Sequence, residues 1–134
     1  MTDHSPPGLQ PLLARFAPGW PTWIDVGPGW FPLLARLDAQ LAEIAPGYVL
    51  HQVKSKFGSL DYYAYPSADG SAHLPAFDEA ILAASWVSIE TCEECGKPAK
   101  QYTIRLWTWT LCEEHAREKA TAAGVDVSGD LRSR

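Results

Sequence analysis

No stretch of the 134 residues approaches the roughly 20 consecutive apolar side chains that a bilayer-spanning helix needs. The opening residues, Met1 to Pro7, lack the basic start and apolar centre of a secretory signal, so a cytoplasmic setting is expected. Positive charge is also scarce. Lys and Arg number 11 against 16 Asp and Glu, a net charge of −5. Without a basic surface, nucleic-acid binding loses phosphate neutralisation, its main source of affinity. Residues 91–134 are neutral in balance rather than basic. Cysteine is limited to three residues, and their spacing suits a metal in a reducing compartment rather than a disulfide framework. Common catalytic signatures are missing too. There is no Gly-x-Ser-x-Gly, His-Glu-x-x-His or P-loop, and no His-x-Glu stands ahead of the Cys-x-x-Cys as a zinc deaminase requires.

What the chain does have is concentrated near its C-terminus. Cys92-Glu-Glu-Cys95 is followed, after sixteen residues, by Cys112-Glu-Glu-His115. Two ligands three apart suit a tight turn whose sulfurs converge on one ion. A second such pair suits the first turn of a helix, where i and i+3 share a face. Three thiolates and one imidazole favour tetrahedral Zn²⁺ at Cys92, Cys95, Cys112 and His115. All four positions are filled by protein groups, so the expected role is structural. Turn, β segment and helix, in that order, are similar to a treble-clef finger. Lys97, Lys100 and Arg105 lie between the ligand pairs and leave room for a local basic patch.

Six tryptophans and 46% hydrophobic residues supply a sizeable core for one domain over residues 1–134. Residues 91–123 read as its metal-binding subdomain, and residues 1–7 and 125–134 as loose ends. Leu9, Leu12, Leu13 and Phe16 predict a short helix at 8–17. A loop follows with Trp20, Trp23 and Trp30; its tryptophans belong either to the core or to an exposed recognition surface. Leu33, Leu34, Leu37, Leu41 and Ile44 continue an apolar stripe from Trp30, predicting a helix at 30–45 ended by Pro46-Gly47. Arg36, Asp38, Gln40 and Glu43 lie off that stripe. Tyr48–Phe57 and Leu60–Tyr65 predict a hairpin around Gly58-Ser59. Val49, His51, Val53 and Phe57 are expected on one face, with Lys54 and Lys56 on the other. Phe77, Ile81, Leu82, Trp86 and Ile89 predict a helix at 75–87. Residues 102–111 alternate as one strand or a short hairpin, with Trp107 and Trp109 facing away from Tyr102 and Ile104. A helix over 112–123, stopped by Gly124, carries the second ligand pair. The fold class is therefore α+β: a small antiparallel hairpin sheet packed by helices and closed by a treble-clef-like zinc unit.

Gly29-Trp30 with Leu33-Leu34 and Leu37, then Gln52-Val-Lys-Ser-Lys-Phe-Gly-Ser-Leu60 with Tyr62-Tyr63, then Cys92-x-x-Cys95-Gly and Leu111-Cys112-x-x-His115, resemble a family of small bacterial and phage proteins. The resemblance covers residues 29–115. It implies a zinc site at the cysteines and His115 but brings no established activity. A basic residue often follows the hairpin leucine in that pattern, and here Asp61 stands there.

Three functions remain open on the sequence. The first is a zinc-stabilised module that binds another protein, with a phage or mobile-element origin implying a host protein or defence complex as target. Its candidate surface comprises Trp20, Trp23, Lys54, Lys56, Trp107 and Trp109. The second is a single-stranded nucleic-acid binder that stacks bases on Trp107 and Trp109, disfavoured by the acidic charge. The third is an enzyme at the junction of hairpin and zinc unit, using His51, Lys54, Lys56 and Asp61. Nothing points to a membrane partner.

Overall fold

The computed structural model describes residues 8–125. The expectations for 1–7 and 126–134 lie outside them. The protein is mixed α and β, with two small sheets and two hydrophobic clusters.

The first cluster is built around helix α2, Phe31–Ile44. Pro28–Trp30 forms a single 3₁₀ turn leading into it. Leu33, Leu34, Leu37 and Leu41 recur at helical spacing and are buried. Pro46, two residues past the end, cannot continue the helix. The expected helix at 8–17 is only one turn, α1, Gln10–Leu13. It stops because residues 15–17 run extended against a strand. Arg15 C=O accepts from Leu50 N–H, and Ala17 N–H donates to Leu50 C=O. Leu9 and Leu12 still reach the core.

The first sheet has order β1-β2-β3, with β1 at Ile24–Asp25, β2 at Val49–Lys56 and β3 at Ser59–Tyr65. The hairpin β2–β3 is as expected, turning through Phe57-Gly58. Strand β1, inside the tryptophan loop, was not expected. It pairs parallel to β2, Ile24 against Val53 and Asp25 against Lys54. The predicted facing of β2 is corrected by an irregularity between Leu50 and Gln52. One extra residue there lets Leu50 and Val53 both point inward, and it moves His51 out of the core. Phe57, expected inward, is exposed.

Helix α3, Pro75–Ser88, begins with proline at its first position. Its buried face is Phe77, Ala80, Ala84 and Ser88, with Ile81 packed partly on the core, so the predicted stripe holds at Phe77 and Ile81 and fails at Leu82 and Trp86. Leu82 and Trp86 point to solvent. Small side chains let α3 approach β3 closely enough for hydroxyls to reach the strand edge. Ser88 accepts from Leu60 N–H at 2.9 Å, and Ser85 donates to Leu60 C=O at 2.8 Å. Asp38, placed off the α2 stripe by sequence, is buried instead. It accepts from Arg15 and from Tyr48 Oη, which meets Tyr62 Oη at 2.6 Å.

The second cluster combines hairpin β4–β5 (Lys100–Ile104 and Trp107–Leu111) with helix α4, Glu113–Ala122. Its core is Cys92, Ile104, Leu111, Cys112, Ala116 and Ala120. Residues 102–111 are thus a hairpin rather than one strand, and the reversal corrects the predicted faces. Tyr102 opposes Trp109 and Ile104 opposes Trp107, so these four share a face. Val125, assigned to the loose tail by sequence, packs on this cluster and donates its N–H to Ala120 C=O.

A seam joins the two clusters. Gly29 N–H donates to Glu93 C=O at 2.7 Å, and Trp30 Nε1–H donates to Thr91 C=O at 2.8 Å. A Cβ at Gly29 would stand 2.1 Å from the Cys92 carbonyl oxygen, and one at Gly27 would stand 2.4 Å from that of Glu93. Only glycine allows that approach. At the other end Thr110 Oγ1 donates to Gly58 C=O, and Gln101 Nε2 donates to Phe57 C=O.

Candidate metal centre and adjoining cleft

The four metal candidates come in two pairs, one from a turn and one from the start of α4. Cys92 and Cys95 flank a turn closed by Cys92 N–H to Lys97 C=O and by Gly96 N–H to Cys92 C=O. Gly96 takes φ +85°, which a residue with a side chain rarely adopts. Cys112 is the N-cap of α4, and His115 lies in its first turn. Their donor atoms all fall within 4.8 Å of one another, a set able to hold a metal ion. Cys95 Sγ to Cys112 Sγ is 3.8 Å, Cys92 Sγ to His115 Nδ1 is 3.6 Å, and Cys112 Sγ to the same nitrogen is 3.2 Å.

The electrostatics favour thiolate at Cys92 but not at Cys95. There the Lys97 N–H lowers the pKa, and desolvation with the neighbouring Cys92 and Cys112 thiols raises it further. Burial raises the Cys92 pKa, but backbone N–H groups of Cys112, Cys95 and Glu94 outweigh it and bring the thiol down to about 7. The acidic neighbours divide. Glu113 and Glu114 are exposed in the first turn of α4, where the helix dipole favours anions. Glu93 is buried. It accepts from Gly27 N–H at 3.0 Å through one oxygen, while the other has no hydrogen-bond partner among the described residues. Burial pushes its pKa up.

The predicted surface residues fall into three places. Trp20 stacks on His51, ring centroids 4.3 Å apart, with Tyr63 and Tyr65 edge-on to the imidazole. His51 therefore lies in an aromatic cluster rather than in the hydrophobic core, and its Nδ1 is buried without a hydrogen-bond partner among the described residues. Trp109 is half-buried under Lys119, whose Nζ sits 4.1 Å from the ring centroid. Trp23, Lys54, Lys56 and Trp107 line two adjoining hollows.

The larger hollow is a cleft of about 410 Å³ between β2 and the tip of β4–β5. Lys54, Ser55 and Lys56 form one side, Leu106, Trp107 and Thr108 the other, with Phe57 and Asp25 also lining it. The smaller, about 130 Å³, holds Trp23 and shares Asp25 and Lys54 with the first. Sequence reasoning missed Phe57 and Leu106. Phe57 is 77% exposed and Leu106 99%. Both occupy left-handed backbone, at φ 56° and 69°. Such tight turns favour Asn or Gly, and a large apolar residue there costs roughly 1 kcal/mol. Of the four residues of the predicted enzyme site, Lys54 and Lys56 line the cleft, while Asp61 stands opposite Lys54 on β3 and His51 lies in the aromatic cluster. His73 is 3.9 Å from Asp78 in an exposed pair away from the cleft.

Comparison with models of protein families, with curated proteins and with solved structures found no match for this chain. Among the described residues no helix is long and apolar enough to cross a membrane.

Proposed function

We propose that the chain is a zinc-stabilised protein-interaction module, with the metal as fastener and the cleft between the two hairpins as the working surface. Zinc–sulfur and zinc–nitrogen bonds of about 2.3 and 2.05 Å set ideal tetrahedral edges near 3.8 Å for S···S and 3.6 Å for S···N. The distances Cys95–Cys112 and Cys92–His115 match those edges, while Cys112–His115 at 3.2 Å is shorter. Turn, hairpin and ligand-bearing helix follow the treble-clef order. Bound there, zinc would tie α4 to the Cys92–Lys97 turn and so hold β4–β5 in place between them.

The observation that carries the interaction reading is Leu106. A leucine 99% exposed in a left-handed turn serves neither core nor backbone. It stands with Phe57 and the 57%-exposed Trp107 around one cleft, and clustered exposed apolar groups mark contact surfaces. The resemblance to small bacterial and phage proteins supports a target of host origin, either a host enzyme or a defence complex. The test is affinity capture with mass spectrometry, comparing wild type with Phe57→Asn and Leu106→Asn. A protein enriched by wild type and lost by both variants is expected. Enrichment of nothing, or equal enrichment by all three, defeats the reading. Elemental analysis is expected to find one zinc per chain.

Single-stranded nucleic-acid binding is the second reading, and Lys54, Lys56 and Trp107 in one cleft favour it. Against it, Trp109 is covered by Lys119, and Arg105 is engaged with Ala123 C=O at the end of α4. A salt-dependent shift of a labelled dT oligonucleotide would support it.

A further inference from the structure

We infer that the partner segment seated in this cleft is an acidic peptide, with a large apolar side chain flanked by carboxylates. This rests on the interaction reading and specifies its chemistry.

Charge is distributed unevenly along the chain. Between Arg36 and Lys97 the only Lys or Arg residues are Lys54 and Lys56, and both line the cleft. They alternate on β2 with Ser55, whose partner Leu60 is buried, so both lysines take the outer face of the sheet. Asp61 lies opposite Lys54 on one neighbouring strand and Asp25 beside it on the other. Even so, neither lysine comes within 4 Å of a carboxylate among the described residues. Within the cleft lining the two lysines outnumber one carboxylate, Asp25, so in a chain of net charge −5 this face carries a small positive excess opposite an apolar wall. Phe57, Leu106 and Trp107 supply that wall, and about 410 Å³ is room for one large side chain and its flanking backbone. The smaller hollow at Trp23 extends the groove past Lys54, so the occupant is a segment several residues long. Ammonium groups beside an apolar wall select carboxylates next to an apolar residue. Nucleic acid fits less well, because two cations neutralise few phosphates and Leu106 offers no face for stacking.

The experiment selects binders from a displayed random dodecapeptide library against the full zinc-loaded chain. Enriched peptides are expected to carry an aromatic residue or leucine within three positions of at least two Asp or Glu. Affinity for such a peptide should fall roughly tenfold or more in the double variant Lys54→Glu/Lys56→Glu. A peptide with its acids replaced by lysine should recover binding to that variant, which mere misfolding would not permit. Enriched peptides without acidic residues, or an affinity unmoved by the double variant, overturn the inference. If lysate capture still yields a partner in those cases, the interaction reading survives without it. If the library yields nothing and capture yields nothing, both fall. Retention of dT oligonucleotide that is lost in the double variant assigns the cleft to nucleic acid and also overturns it.

Discussion

The two hydrophobic clusters hold together by different means. The first buries Trp30, Tyr48, Phe77 and eight leucines among α1, α2, α3 and the sheet. Among the described residues the buried core of the second has Ile104 and Leu111 as its large aliphatic side chains, among cysteines and alanines, with Tyr102, Trp109 and Val125 packed partly against it. Burying an aliphatic side chain contributes about 1.5–3 kcal/mol, whereas ordering backbone costs about 1–2 kcal/mol per residue. A unit so poor in apolar volume needs another source of cohesion, and the cysteine–histidine cluster at its centre is the available one. The comparison teaches that an apolar core and a cluster able to hold a metal ion can sit side by side in a small chain, with a narrow seam between.

The strongest way to break the comparison is to withdraw the zinc we propose for the Cys92, Cys95, Cys112 and His115 cluster. Structural zinc binds with roughly 10 kcal/mol or more of apparent free energy. Chelation at neutral pH is expected to strip hydrogen-exchange protection from β4, β5 and α4 while α2 and β2 keep theirs. Uniform loss across the chain would mean the clusters are not separable. Next in size is Leu34→Ala, at the centre of the first cluster, expected to cost about 2–5 kcal/mol in denaturant unfolding with zinc affinity unchanged. Loss of zinc in that variant would contradict it. Gly29→Ala probes the seam. Its Cβ meets the Cys92 carbonyl, so about 1–3 kcal/mol should be lost, and the two clusters should melt in separate steps. A single unshifted transition would show that the backbones tolerate the intrusion.

Smaller effects sharpen the contrast. Burial, foremost, pushes the Tyr48 and Tyr62 pKa values up. The unfolded chain releases those protons near pH 10, while the folded chain keeps them. Their contribution is therefore fully present below about pH 10 and lost as pH rises above it, at about 1.4 kcal/mol per pH unit for each group. Thermal melts from pH 9 to 11 should show that decline, reduced in Tyr62→Phe. An equal slope in the variant would refute the assignment. Smallest of all, Leu106→Asn should raise stability by about 0.5–1 kcal/mol, because Asn accepts left-handed backbone more readily. A fall in melting temperature would show that Leu106 packs after all.

Much of this was legible from residue order. The cysteine pairs and His115 announce themselves by spacing, and α2, β2–β3 and α4 by periodicity and their stops. What escaped depends on contacts between distant segments. Strand β1 is two residues long, too short for any pattern, and exists because β2 lends it a partner. The face of α3 was partly misjudged because Ala80, Ala84 and Ser88 are buried for their smallness rather than their hydropathy. The reversal at Arg105-Leu106 carries no Gly or Asn to mark it. Asp38 is buried by virtue of Arg15 and Tyr48, neither a neighbour in sequence. The donor geometry could be anticipated, whereas the cleft could not. Its two sides come from hairpins about fifty residues apart, and its apolar lining breaks the turn rules.

The seam at Gly27, Gly29 and Trp30 has a consequence for anyone dissecting this protein. A fragment ending ahead of Thr91 would retain the leucine-rich half but bare the slot shaped for the Cys92 backbone, and the Trp30 indole N–H would lose its acceptor. Such a fragment should be adhesive and poorly behaved, so the halves are better studied by mutation in place than by excision.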